Sequence, residues 1–352
     1  MQFKNLPTEL LIHIFLSCTS ITDILHLASA TRRFHRILNQ SNKLQILYTV
    51  AATEFSPIDE IVQLVTQNES QPVHIRREAP ISVPLLVQIV RVGQVARKWE
   101  AIYPLKKWKA DYENRRLLSE EECWRVRRAV YRVWLYHRAF HTRVFDRFTR
   151  GLRGVVLERA QLLHNWSTVE LAEMEDVRRI MEDVVRNHVC PSNGTIERKF
   201  RKRFPLAATG QLTFNFLPFM PTSGKAGYAD HFYTMHPMDT PGKYRSRFRN
   251  DFFHDPGYEG WGDEIPHYYV VQDMMKLDPG QVLWLRDHAP MKEQVEDYIV
   301  SLGEWFRDNG ETFGDTLTWV MHERGEHVGE LRIAIEDRYM GVVTDPQLSS
   351  FI

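Results

Sequence analysis

Residues able to do chemistry fall in a few places along this 352-residue chain. His322-Glu323-Arg324-Gly325-Glu326-His327 sets two imidazoles around glutamates, which is the composition of a zinc-protease helix, where paired histidines hold the metal and the acid activates water. Such a helix needs its histidines at i and i+4, on one face. Here the second falls at i+5 with Gly325 between, so the rings diverge around the helix and a zinc site is rejected. Gly257, Gly260 and Gly262 have the glycine content of a phosphate cradle but the reverse spacing, and nothing before them reads as a strand. No serine occupies a Gly-x-Ser-x-Gly elbow. Cys18, Cys123 and Cys190 are far apart and lack the basic or histidine-rich neighbours that would favour a reactive thiolate.

One constellation survives. Asp230, His231, His236, Asp239, His254, Asp255, Asp263 and His267 share one irregular, aromatic-rich stretch, where loop-borne ligands could gather a divalent metal and aromatic rings could wall a pocket. Their spacing matches no metal motif, and in a chain with 15 histidines a grouping of surface and capping residues is the simpler account. Arg245-Ser246-Arg247-Phe248-Arg249 lies in the same stretch and suits an ion-paired loop as well as an anion site. Nothing here calls for a cofactor.

The elements that must carry these groups read as helices. Ser56-Pro57 opens one, with Asp59 three residues after the serine. Residues 67–80, polar with two prolines, form a loop. Val83-Pro84 leads into Leu85, Leu86, Ile89, Val90, Ala96 and Trp99, a buried helix predicted to end before Pro104. Ser119 and Glu122 make a capping pair for a helix in which Val126, Val130, Val133, Trp134, His137 and Phe140 recur at helical period. Arg125, Arg128, Arg132 and Arg143 fall elsewhere on it, predicting one core face and one basic face. Ser167 and Glu170 repeat the capping pair for a helix running to about His188, and Asn193-Gly194 reads as a turn. Residues 209–261 are too aromatic for a disordered linker and predict ordered coil and short helices. Helices are expected again over 268–276, 279–287, 291–308 and 316–322, while the pattern beyond 330 is too weak to assign.

The N-terminal stretch 6–38 is the most informative. Pro7 suits a first helical position and Glu9 its first turn, followed by Leu10, Leu11, Ile14 and Phe15 at helical spacing. Ser20 can cap a second helix bearing Ile24, Leu27 and Ala28, and Thr31 a third bearing Phe34, Ile37 and Leu38. Three helices this short cannot bury so much apolar surface among themselves, so part of it should meet a partner. Leu6-Pro7, Glu9, the Leu/Ile run over 10–16, Asp23-Ile24, Thr31, Arg32-Arg33 and Phe34 together resemble the F-box family, the adaptor-binding module of cullin-RING ubiquitin ligases, over roughly the first 45 residues. The resemblance implies a non-catalytic adaptor that docks on a Skp-type adaptor. It places the docking motif at Leu6, Pro7, Leu10, Ile14, Phe15 and Ile24 and leaves a protein substrate unidentified.

Apolar and charged fractions of 43% and 26% are those of a globular protein. The widely spaced cysteines, the lack of a secretory pattern and the lack of an apolar run of the ~18 residues that a span needs predict a protein of cytoplasm or nucleus without membrane partners. The net charge of zero hides an asymmetry: residues 97–153 carry 16 Lys or Arg against 7 Asp or Glu, and residues 230–352 carry 11 against 23. The basic middle is expected to meet the chain's own acidic C-terminal half in preference to nucleic acid. The expected fold is mostly α: an F-box-like three-helix segment (1–45), a helical region basic in its middle (46–208), and an acidic helical region with long ordered loops (209–352). The alternative to an adaptor is a metal-dependent or small-molecule enzyme with its pocket in residues 209–270.

Overall fold

A computed structural model describes residues 6–39, 42–145, 148–203, 260–262, 264–308 and 310–345, and these residues contain sixteen α-helices and no strand. The fold is therefore mostly α. The chain divides into two compact units: the first comprises Met1–Leu135, Ala172–Val177 and Ile335–Ile352, the second Tyr136–Leu171 and Arg178–Ala334. These divisions differ from the linear ones at 45 and 208 because they fall inside helices, where composition does not change.

In the first unit, α1 (Thr8–Leu16), α2 (Ile21–Ala30), α3 (Arg32–Leu38) and α4 (Lys43–Glu54) enclose one small core. Ser20 and Thr31 cap α2 and α3 as their spacing predicts, accepting from the backbone N–H of Asp23 and Phe34 at 3.0 and 3.1 Å. Pro7 stands one residue earlier than expected, just outside α1. Ahead of α5 (Ile58–Thr66), Ser56 does not cap; its hydroxyl instead accepts from Trp124 Nε1 at 3.1 Å. The loop that follows is ordered by one buried amide, Gln63, which donates to the carbonyls of Val73 and Ile75 and accepts from Arg77 N.

The next helix, α6 (Val83–Lys107), runs through Pro104. A proline inside a helix forfeits a hydrogen bond and crowds the preceding turn. Here Tyr103 and Trp108 are buried on either side of it and Lys107 reaches Asp176 at 2.8 Å, so tertiary contacts hold the last turn. The capping pair of Ser119 and Glu122 opens α7 (Glu120–Phe140) as predicted. Arginines of its expected basic face are paired with carboxylates. Arg132 is buried against Glu60 at 2.7 Å and Arg128 meets Glu173 at 2.7 Å.

In the second unit, α8 (Arg153–His164) was not legible in the sequence, and the helix Phe313–Glu323 packs against it. Ser167 and Glu170 cap α9 (Thr168–Val184), which loosens at its end into one wider turn closed by Cys190 N donating to Val185 O. Asn193-Gly194 starts a helix, α10 (Asn193–Arg203), because Ser192 accepts from Thr195 N at 3.1 Å. Next come α11 (Glu264–Met274) and α12 (Pro279–His288), the latter capped by Asp278. The helix expected over 291–308 is two, α13 (Lys292–Ser301) and α14 (Glu304–Asp308), broken at Gly303, whose φ of +94° favours glycine. The last are α15 (Phe313–Glu323) and α16 (Val328–Glu336).

Candidate functional site

The N-terminal core is built from Leu11, Phe15, Ile24, Ala28, Phe34, Ile37 and Leu38 together with Ile46 and Val50 of α4. Phe15 and Phe34 meet edge to face, 6.4 Å between centroids. Two polar ties fix the helices. Arg33 Nη2 donates to Leu6 O at 2.5 Å, and the Glu54 carboxylate at the end of α4 accepts from Ile21 N at 2.8 Å. The apolar surplus of the three opening helices is thus covered in part by α4, within the same chain.

The six residues matching the docking motif divide accordingly. Phe15 and Ile24 are 1% and 0% exposed, so they are core residues of this segment. Leu6 and Ile14 are partly buried at the rim of that core. Pro7 is exposed and Leu10 is 48% exposed. Pro7, Leu10 and Ile14 lie at i, i+3 and i+7 on one side of α1, while Leu11 and Phe15 take the inward side. Leu25 of α2 is 54% exposed as well, because its neighbour Ile24 fills the inward stripe and leaves Leu25 outside.

Seven basic residues from Arg97 onward have ion pairs with carboxylates nearer in sequence than the acidic C-terminal half. Arg97 faces Glu54, Lys107 Asp176, Arg116 Glu122, Arg125 Glu121, Arg127 Glu100, Arg128 Glu173 and Arg132 Glu60. These carboxylates all lie within residues 54–176; the C-terminal half contributes acceptors too, the Val342 carbonyl and Thr344 hydroxyl to Arg125 and the Ile335 carbonyl to Lys107. Burial raises Glu173 even with Arg128 beside it, and burial would raise Glu122 too, but the two hydrogen bonds from Arg116 and those from Ser119 outweigh it and hold Glu122 low.

Groups that could act as nucleophiles or ligands are occupied structurally. Burial pushes all three thiols up, Cys123 to about 11 with Glu100 adding to the effect, which disfavours a thiolate. The segment 322–327 clasps the turn between α8 and α9. His164 meets Glu323 at 2.9 Å, the Thr168 hydroxyl donates to Glu326, and Arg324 donates to Trp166 O. Gly260 lies against the backbone of Ser192 and Asn193, where a Cβ would fall 2.4 Å from Asn193 N; packing accounts for that glycine. Of the metal constellation only His267 lies within the described residues, and it donates from Nε2 to Cys190 O at 2.7 Å. Asp230, His231, His236, Asp239, His254, Asp255 and Asp263, with the arginines 245, 247 and 249, lie outside them. Among the described residues no group of three His, Cys, Asp or Glu could hold a metal ion, and no helix is long and apolar enough to cross a membrane.

The site and fold define a multi-helical protein in two units, with an apolar face at its N-terminal helices. No protein-family model, no characterised protein and no solved structure matches the chain.

Proposed function

We propose that the protein is a non-catalytic adaptor which docks on a Skp-type adaptor through its N-terminal helices and holds a protein for a cullin-RING ubiquitin ligase. The observation that supports this reading is the outward face of α1. Pro7 just ahead of α1 and Leu10 on it are exposed, while Leu11 and Phe15 of the same helix face the core, so apolar surface is left outside the fold there. The motif resemblance over residues 6–34 supports the same reading. In it, Pro7, Leu10 and the rim residues Leu6 and Ile14 touch the partner, and Phe15 and Ile24 hold the helices in the shape that does so.

The test is co-expression of the full chain with a Skp-type adaptor, followed by capture of either one. The parent should bring the adaptor down. Leu10→Glu should abolish capture while leaving the circular-dichroism melt unchanged, because a charge with no compensating group enters an apolar interface. Absence of capture by the parent overturns the reading.

A further inference from the structure

Two histidines are buried side by side in the second unit. His137 in the last turn of α7 and His141 just past its end are 2% and 5% exposed with ring centroids 4.7 Å apart. Nδ1 of His137 lies 2.7 Å from Leu277 O, and Nδ1 of His141 lies 3.2 Å from Lys276 O. A carbonyl oxygen only accepts, so each Nδ1 carries the hydrogen and each neutral ring keeps its lone pair on Nε2. Nε2 of His141 faces the Thr312 hydroxyl at 3.3 Å; Nε2 of His137 is buried with no hydrogen-bond partner.

The pair therefore clips two consecutive carbonyls, in the turn between α11 and α12, to the side of α7. The clip fits while both rings are neutral. A proton added to His137 must go to Nε2, which creates a buried N–H with no acceptor and a buried charge. The surroundings do not welcome that charge. Lys276 of the clipped turn, with Asp273 3.8 Å away, packs its ammonium over the Phe306 ring. Arg178 of α9 pairs with Glu311, just before α15, at 3.3 Å. Arg159 of α8 donates to Thr316, which shares the Tyr136 hydroxyl with Thr312.

We propose that the His137–His141 pair is a proton-operated latch: it holds the 276–277 turn to α7 only with both rings neutral, so that acidification increasingly favours states in which the turn has left α7 and the rings can take up protons. Burial holds His137 down at about 3, and burial with the charges of His137, Lys276 and Arg178 keeps His141 well below the ordinary histidine range. The unfolded chain takes up these protons near pH 6.5, whereas the folded unit resists until far lower. Stability is thus full above about pH 6.5 and falls as the pH drops below it. By pH 5 each histidine lowers the folded-to-unfolded ratio roughly 30-fold, and the pair on the order of 1,000-fold.

Urea unfolding of the full chain at pH 7.5 and 5.0, with amide hydrogen exchange over residues 274–280, tests this in the parent and in the His137→Asn/His141→Asn double variant. Asparagine Nδ2 stands where Nδ1 stood, so the donation to the carbonyls is kept and the titration removed. The parent should lose on the order of 1,000-fold more than the variant between the two pH values, with exchange rising first at the clipped turn. Equal losses overturn the proposal. Should the variant fail to fold at pH 7.5, deuterium exchange at imidazole C2 in the parent, read on peptides carrying each histidine, decides the matter. Midpoints below pH 5 support the latch, and a midpoint above it at either ring overturns it.

Discussion

The hydroxyl of Tyr103 donates a 2.5 Å hydrogen bond to the carboxylate of Asp176, and both side chains are sealed from solvent. Burial pushes the Tyr103 hydroxyl well up, with the charge of Asp176 adding to it, so the phenol remains a donor. The same carboxylate accepts from Lys107 Nζ at 2.8 Å and from Val342 N at 3.1 Å. One buried acid thus joins α6 and the turn after Arg338 to α9. Gly341 lets that turn approach: its φ is +102° and a Cβ there would fall 2.8 Å from Asp176 Oδ2.

Removing this acid should be among the most damaging single changes to the first unit. Asp176→Ala leaves the largely buried Lys107 without its counter-charge and is expected to cost about 3–5 kcal/mol. Tyr103→Phe removes one donor and should cost about 1–3 kcal/mol. Urea midpoints of the two variants give the comparison; a Tyr103→Phe loss equal to that of Asp176→Ala would contradict the ranking.

Adjacent leucines on α1 should separate folding from docking. Leu11, 2% exposed, is a core residue, and Leu11→Ala is expected to cost about 2–5 kcal/mol. Leu10→Ala should stay within about 0.5 kcal/mol of the parent. Thermal melts of the two variants check this, and a comparable drop for both would place Leu10 in the chain's own core.

Gly93 marks the tightest approach onto α6. A Cβ there would lie 2.3 Å from the ring of Phe55, which is itself 2% exposed. Gly93→Ala should displace that ring and lose about 1–3 kcal/mol through overpacking, against the gain in helix propensity that alanine would bring at an open site. A neutral or stabilising Gly93→Ala melt would show that Phe55 can move aside freely.

Glu122 should supply a separate acid limb of stability. Its hydrogen bonds with Arg116, at 2.5 and 2.6 Å, and the Ser119 amide outweigh burial and hold its pKa below the ordinary carboxylate value. A depressed carboxylate stabilises the fold above its unfolded pKa and loses that contribution as the pH falls through the folded one. The parent's melting temperature should therefore fall more steeply below about pH 4.5 than that of Glu122→Gln. Parallel curves would mean that the charge on Glu122 contributes nothing.

What the sequence determined by itself was local. Ser20, Thr31, Ser119 and Ser167 cap helices as read because each cap and its partner N–H lie three residues apart, and that geometry closes without the rest of the chain. The helical spacing of Leu10, Leu11, Ile14 and Phe15 is equally local, although which of them face inward is not. Tertiary structure decided the rest. Arg132 reads as a member of a basic face until Glu60, far away in sequence, pairs with it and buries it. Ile24 and Phe15 read as available to a partner until Ile46 and Val50 of α4 cover their core. Pro104 reads as a stop until Tyr103, Lys107 and Trp108 find burial and an ion pair around it. His137 reads as part of a core face and little more, since nothing nearby announces that the carbonyls of residues 276 and 277 will claim the Nδ1 hydrogens of His137 and His141. Hydrogen bonds and periods spanning a few residues are encoded where they occur; the neutralisation of a buried charge depends on which distant segment the chain brings to it.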